Sequence, residues 1–156
     1  LVDYEEVHVA DLFAGTGALG IEALSRGARQ AVFVENHKSA LQVLQRNVAQ
    51  CGLESYSRVL PLQAHKALPK LAAAGEHFSL IFLDPPYGFG LAAATLLLLA
   101  KHHLVAPGGL VVAEHSRGDE LAATYQNLVR YDQRLYGATV ISFYTPANEH
   151  SGPPEL

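Results

Sequence analysis

Short apolar runs alternate with longer segments whose apolar residues recur every three to four positions, and the alternation continues through most of the chain. Val7 to Phe13, Ala31 to Glu35, Arg58 to Leu62, Phe78 to Asp84 and Leu110 to His115 read as strands. Helical patterns fall between them: Ala18 to Arg26, stopped by Gly27; Lys38 to Cys51, with Ala40, Val43, Leu44 and Val48 on one face and Gly52 as terminator; His65 to Ala73; and Leu91 to His102. Pro107-Gly108-Gly109 marks a turn before the fifth strand, and Asp119 is placed to cap a helix reaching about Tyr125. The last two strands, Leu128 to Tyr136 and Ala138 to Thr145, are separated by Gly137, so short a link that they must run antiparallel. The pattern predicts an α/β fold, a doubly wound and mostly parallel sheet closed by a C-terminal antiparallel hairpin, over residues 1–146. Residues 147–156 read as a polar tail.

The fourth strand ends in Asp84-Pro85-Pro86-Tyr87. A carboxylate at a strand tip stands in the crevice where open α/β sheets bind ligands. Pro85 and Pro86 have no N–H and fix a stiff, extended turn whose carbonyls face outward. If Asp84 and the Pro85 carbonyl each accept one N–H of a planar amine, its lone pair is held toward an incoming methyl group, which is catalysis by orientation. Tyr87 then stacks on the ring.

A second motif follows the first strand. Gly15, Gly17 and Gly20 fit G-x-G-x-x-G, and Glu35 closes the second strand about 20 residues after Gly15, the spacing of a dinucleotide site. Asp11 points to another ligand, because a carboxylate at the strand tip would oppose a pyrophosphate but attract the sulfonium and ammonium of S-adenosylmethionine. Glu35 can accept ribose hydroxyls of either ligand and does not discriminate. A nicotinamide oxidoreductase therefore stays as the weaker alternative.

The 156 residues suffice for one domain, and the composition, 49% hydrophobic and 17% charged, suits a buried sheet and excludes broad disorder. The strongly apolar stretch Leu91 to Ala100 is too short to span a bilayer and reads as a core helix. With no signal peptide and Cys51 as the only cysteine, the expected setting is the cytosol, and a monomer is the expected state. Cys51 reads as a packing residue. His102 and His103 are adjacent, so on a helix they point about 100° apart; the remaining histidines show no ligand spacing, and no metal site is expected. His115, at the end of the fifth strand, reads as an ordinary strand-end residue that could border the crevice. The net charge of −4 and the pI of about 6.0 are unfavourable for holding RNA phosphates.

Asp11-Leu12-Phe13-Ala14-Gly15-Thr16-Gly17, then Glu22-Ala23-Leu24-Ser25-Arg26-Gly27-Ala28 and Asp84-Pro85-Pro86-Tyr87, closely resemble the bacterial 16S rRNA guanine-N2 methyltransferase family of the RsmD type. Asn47 and Arg134-Leu135-Tyr136-Gly137-Ala138-Thr139 are further matches, and the likeness runs from about Val7 to about Tyr144. It implies a class I methyltransferase fold of seven strands with the last inserted beside the fifth. It also implies methyl transfer from S-adenosylmethionine to the N2 amine of a guanine in 16S rRNA, within a small-subunit assembly particle. By the same likeness an N-terminal extension with basic residues and a β-hairpin is expected ahead of the first strand. This sequence lacks it and contains no Met, so a truncated chain is expected, with the cofactor site intact and RNA binding in question.

The implied roles place Asp11 at the methionine ammonium, directly or through water. Gly15 and Gly17 give close backbone approach, with Phe13, Ala14 and Thr16 in the same turn. Glu35 clamps the ribose, Asn36 and His37 shape the edge of the adenine pocket, and Gln63-Ala64 occupies the place that reads the adenine amine. Asp84 and Pro85 carry catalysis, Pro86 stiffens the turn, and Tyr87 carries an unpaired or flipped base. Adenine N6, cytosine N4 and a protein glutamine amide are alternative acceptors for such a motif. A truncated domain that binds the cofactor without acting on RNA is another.

Overall fold

The computed structural model describes residues 6–147, so the expected polar tail lies outside the described residues except for Ala147. The elements are β1 (His8–Leu12), α1 (Ala18–Ser25), β2 (Gln30–Val34), α2 (Lys38–Gln50), β3 (Ser57–Leu60), α3 (Ala64–Ala73), β4 (Phe78–Leu83), α4 (Leu91–Lys101), β5 (Val105–Ser116), β6 (Thr124–Tyr125), β7 (Leu128–Tyr136) and β8 (Thr139–Pro146), with a 3-10 turn at Glu54–Tyr56. They form one sheet of eight strands in the order β3-β2-β1-β4-β5-β8-β7-β6. The first five run parallel to one another, and β8 inserts antiparallel between β5 and β7.

Strand alternation sends successive side chains to opposite faces, and each face has its own core. Ala10, Leu12, Val32, Val34, Ile81 and Leu83 pack against α3 and α4 through Leu68, Leu71, Leu96 and Leu99. Val9, Ala31 and Phe33 pack against α1 and α2 through Leu24, Leu44 and Val48. Asp11 shares the parity of Val9 and pairs in register with Phe33, so the pleat turns its carboxylate toward α1. Strand order reverses between β1 and β4, and the crevice lies at their C-terminal ends.

Two expectations are corrected. Residues 119–125 form no helix: the Asp119 N–H donates to the Ser116 carbonyl at 3.1 Å in a tight turn, and the segment then enters β6. The Asp119 carboxylate accepts the N–H of Gly88 at 2.8 Å instead of capping a helix. The sheet also has eight strands where seven were expected, because Thr124 and Tyr125 pair with Val129 and Leu128. Pro107-Gly108-Gly109 lies inside β5, where the pairing with β4 shifts register between Phe78 and Leu80, so this turn signal marks an irregularity within a strand.

Candidate active site

The β1 tip and the glycine loop form one wall of the crevice. Phe13 leaves β1 with φ +59°, a left-handed conformation that β-carbon sterics disfavour and that concentrates at functional sites. The Ala14 N–H donates to the Val34 carbonyl at 2.9 Å, tying the loop to the β2 tip. Asn47 on α2 donates from Nδ2 to the Thr16 carbonyl at 3.0 Å. The two left-handed glycines of this loop have different surroundings. A β-carbon at Gly15 (φ +57°) would meet nothing within 4 Å, whereas one at Gly17 (φ +84°) would lie 2.3 Å from Leu44 Cδ1. Gly15 leaves open space for a ligand. Gly17 also makes room for α2 on the side where a β-carbon would project. Gly20 is also a packing position, since its β-carbon would come within 2.4 Å of the Phe33 ring.

Asp11 is only 3% exposed, and its Oδ2 accepts the Gly20 N–H at 3.0 Å. Burial raises its pKa to about 7 against the opposing effect of the Gly20 hydrogen bond, and the carboxylates of Asp84 and Glu35 push it the same way as burial. Asp11 thus stands behind the glycine loop as a buried group that gains from a cation brought into the crevice.

Glu35, half-buried at the β2 tip, accepts the Gly15 N–H on Oε1 at 2.9 Å and those of Asn36 and His37 on Oε2 at 2.9 and 2.8 Å. Three of about four acceptor positions of the carboxylate are filled. A ribose hydroxyl can use the remaining one on Oε1; a clamp using both oxygens would require the Asn36 or His37 N–H to let go.

Two cavities share Phe13, Glu35, Asn36 and Pro86 and so adjoin. One, of about 280 Å³, is walled by Leu62, Gln63, Ala64, Leu91, Ala94 and Leu98. Gln63 is exposed at the start of α3 and makes no capping hydrogen bond with its side chain, so its amide can face this cavity. The other, of about 520 Å³, runs past His37 and Ala40 to Asp84, Pro85, Pro86 and Tyr87. A mostly apolar slot therefore adjoins a chamber lined by the acidic tip of β4. The α4 wall of the slot was not identified from the sequence; its signal was the apolar run Leu91 to Ala100, read there only as core.

Asp84 opens to solvent at the crevice mouth, yet partial burial, and after it the neighbouring Glu114 carboxylate, raise its pKa to about 6. Tyr87 donates its hydroxyl to Glu114 Oε1 at 3.3 Å, and that hydroxyl lies 3.4 Å from Thr139 Oγ1. Glu114, Thr139 and Asp119 join the site from β5, β8 and the loop between β5 and β6. His115 lies behind them, 2% exposed, with Nδ1 2.8 Å from the Asp119 carbonyl and Nε2 2.8 Å from Ser142 Oγ. It does not border the crevice. Among the described residues no group of three or more His, Cys, Asp or Glu side chains could hold a metal ion, and no helix is long and apolar enough to cross a membrane.

A family model described as conserved hypothetical protein 95 matches residues 2–145. A Bacillus subtilis protein named as a candidate rRNA methyltransferase, YlbH, is 39% identical over 134 residues, covering 86% of this chain and 73% of its own. The ribosomal RNA small subunit methyltransferase D of Haemophilus influenzae is 31% identical over 134 residues, covering 86% and 69%. A solved Haemophilus influenzae structure described as a candidate methylase superposes with a TM-score of 0.84 at 29% identity, over 92% of this chain and 89% of that one. The match spans β1 to β8, and with it the glycine loop and the acidic tip of β4. The chain belongs to the conserved hypothetical protein 95 family, that of the RsmD-type rRNA methyltransferases, and has the class I methyltransferase fold.

Proposed function

We propose that this chain, through a single domain over residues 1–146, transfers the methyl group of S-adenosylmethionine to the exocyclic N2 amine of a guanine in small-subunit rRNA. The observation that carries the reading is that two adjoining cavities, sharing Phe13, Glu35, Asn36 and Pro86, set an apolar slot beside Gln63 next to the Asp84-Pro85-Pro86-Tyr87 turn. The open space at Gly15, the acidic groups Asp11 and Glu35, and, among the described residues, a lining of either cavity without Lys or Arg fit a cationic, phosphate-free cofactor. The slot would hold the adenine beside Gln63, Glu35 would meet a ribose hydroxyl, and Asp11 would favour the positive methionine end. When bound, the cofactor supplies an electrophilic methyl group.

The chain's own residues orient the acceptor. An exocyclic amine conjugated with its ring is a weak nucleophile, and Asp84 with the Pro85 carbonyl can take its two N–H groups and fix its lone pair toward the methyl donor. The proton shed after transfer passes to Asp84 or to water. Tyr87 offers its ring to a flipped base; stacking of this kind is worth roughly 1–3 kcal/mol.

We take the substrate to be an assembling small-subunit particle, in which protein and RNA shape together present the base. We take the acting form to be a cytoplasmic monomer. Incubation with small-subunit particles and labelled S-adenosylmethionine, followed by mass spectrometry of the nucleosides and of the ribosomal proteins, tests the reading. N2-methylguanosine is the expected product; N6-methyladenosine, N4-methylcytidine or methylated protein glutamine would overturn it.

A further inference from the structure

The register of β4 on β5 pairs Leu83 with Ala113, so Asp84, just past the end of β4, and Glu114, within β5, stand side by side on one face of the sheet. Adjacent strands lie about 4.8 Å apart, so both carboxylates can reach one edge of a planar base. Tyr87 is pinned by its hydroxyl to Glu114 and fixes the ring beside the same pair. That bond takes one acceptor position of Oε1 and leaves the carboxylate further capacity.

The chemistry of the candidate acceptors then separates them. Adenine N6 has the ring acceptor N1 beside it, cytosine N4 has N3, and a glutamine amide nitrogen has its own carbonyl oxygen. Each would bring a lone pair toward the lone pairs of Glu114 once its amine was on Asp84. Guanine N2 alone in this set has a donor, N1–H, at its flank. Resting on the methyl-transfer reading above, we propose that Glu114 selects guanine by accepting N1–H while Asp84 accepts an N2–H. In the reaction the sulfur–methyl bond breaks, the N2–methyl bond forms and an N2 proton leaves to Asp84 or water; Glu114 keeps N1–H and exchanges no proton. Glu114 also contributes to the raised pKa of Asp84, and two incoming donors relieve that repulsion.

The test uses small-subunit particles assembled with guanine or 2-aminopurine at the position that the wild-type chain methylates. 2-Aminopurine keeps the amine but has an acceptor at N1. Wild type should methylate it at least about tenfold more slowly than guanine, because the Glu114 carboxylate would then face a ring lone pair where guanine offers a donor. In Glu114→Gln the side-chain amide can donate to that N1, so the preference should shrink or reverse while affinity for S-adenosylmethionine, which reports the fold, is retained. An unchanged guanine-to-aminopurine ratio in Glu114→Gln, or no preference in wild type, overturns the proposal and leaves the function reading standing. A wild-type product other than N2-methylguanosine overturns both.

Discussion

Gly20 donates its backbone N–H to Oδ2 of Asp11 at 3.0 Å, so the first turn of α1 holds a carboxylate that is 3% exposed. One hydrogen bond does not offset the burial, and the pKa stands near 7 against 3.8 for the free side chain. Between these values the folded chain binds more protons than the unfolded one. Stability therefore falls as pH rises through that window, by an amount on the order of a few kcal/mol in total. Asp11→Asn, which can still accept from Gly20, should remove this slope in urea unfolding followed from pH 5.5 to 8. A cationic cofactor favours the ionised form, so wild-type affinity for S-adenosylmethionine should climb as pH passes through about 7. The variant should bind weakly with a flat profile; calorimetry reads both.

Gly15 and Gly17 should respond differently to the same substitution. Gly17→Ala drives a methyl group into Leu44 at a left-handed φ and should cost roughly 2–4 kcal/mol of stability. Gly15→Ala meets open space and should cost only about 1–2 kcal/mol of backbone strain, yet weaken cofactor binding at least tenfold. Chemical denaturation beside a cofactor titration separates the two; equal stability losses would contradict the assignment.

Only the ionised Asp84 can accept the amine on a charged oxygen and take up the proton it sheds, and its pKa is raised to about 6. At saturating cofactor, the methyl-transfer rate should rise with pH through about 6 and level off above it. Asp84→Asn should be slower by 100-fold or so and lack that limb, with cofactor affinity largely spared.

Asp119 holds the loop after the active tip by accepting the Gly88 N–H at 2.8 Å. Asp119→Ala should lower kcat/KM for the RNA substrate by roughly 5–30-fold, the effect of about 1–2 kcal/mol for a lost charge-assisted bond, without changing cofactor affinity. Asp119→Asn keeps an acceptor and should recover most of the activity. Steady-state kinetics of the pair decide whether the loop is positioned in this way.

Local chemistry made much of this protein legible in its sequence. Apolar period marked the four helices and the larger strands, because burial on one face or two leaves its imprint on consecutive residues. The prolines and glycines fixed the turns in which Asp84, Gly15 and Gly17 stand. The Asp119 to Tyr125 segment misled because an acid before an apolar stretch is also what a helix start looks like; the competing partner, Gly88, lies 31 positions away. Gly15 and Gly17 look alike in sequence, and only the approach of Leu44 from α2 shows that a β-carbon would meet open space at one and a packed side chain at the other. Glu114, Thr139 and the α4 wall of the slot likewise join the site through strand order and register. Sequence by itself determined the elements and the residues at their tips, since those depend on neighbours along the chain. Which tips face each other, and which carboxylates are buried, depended on contacts between distant segments that only the tertiary structure could decide.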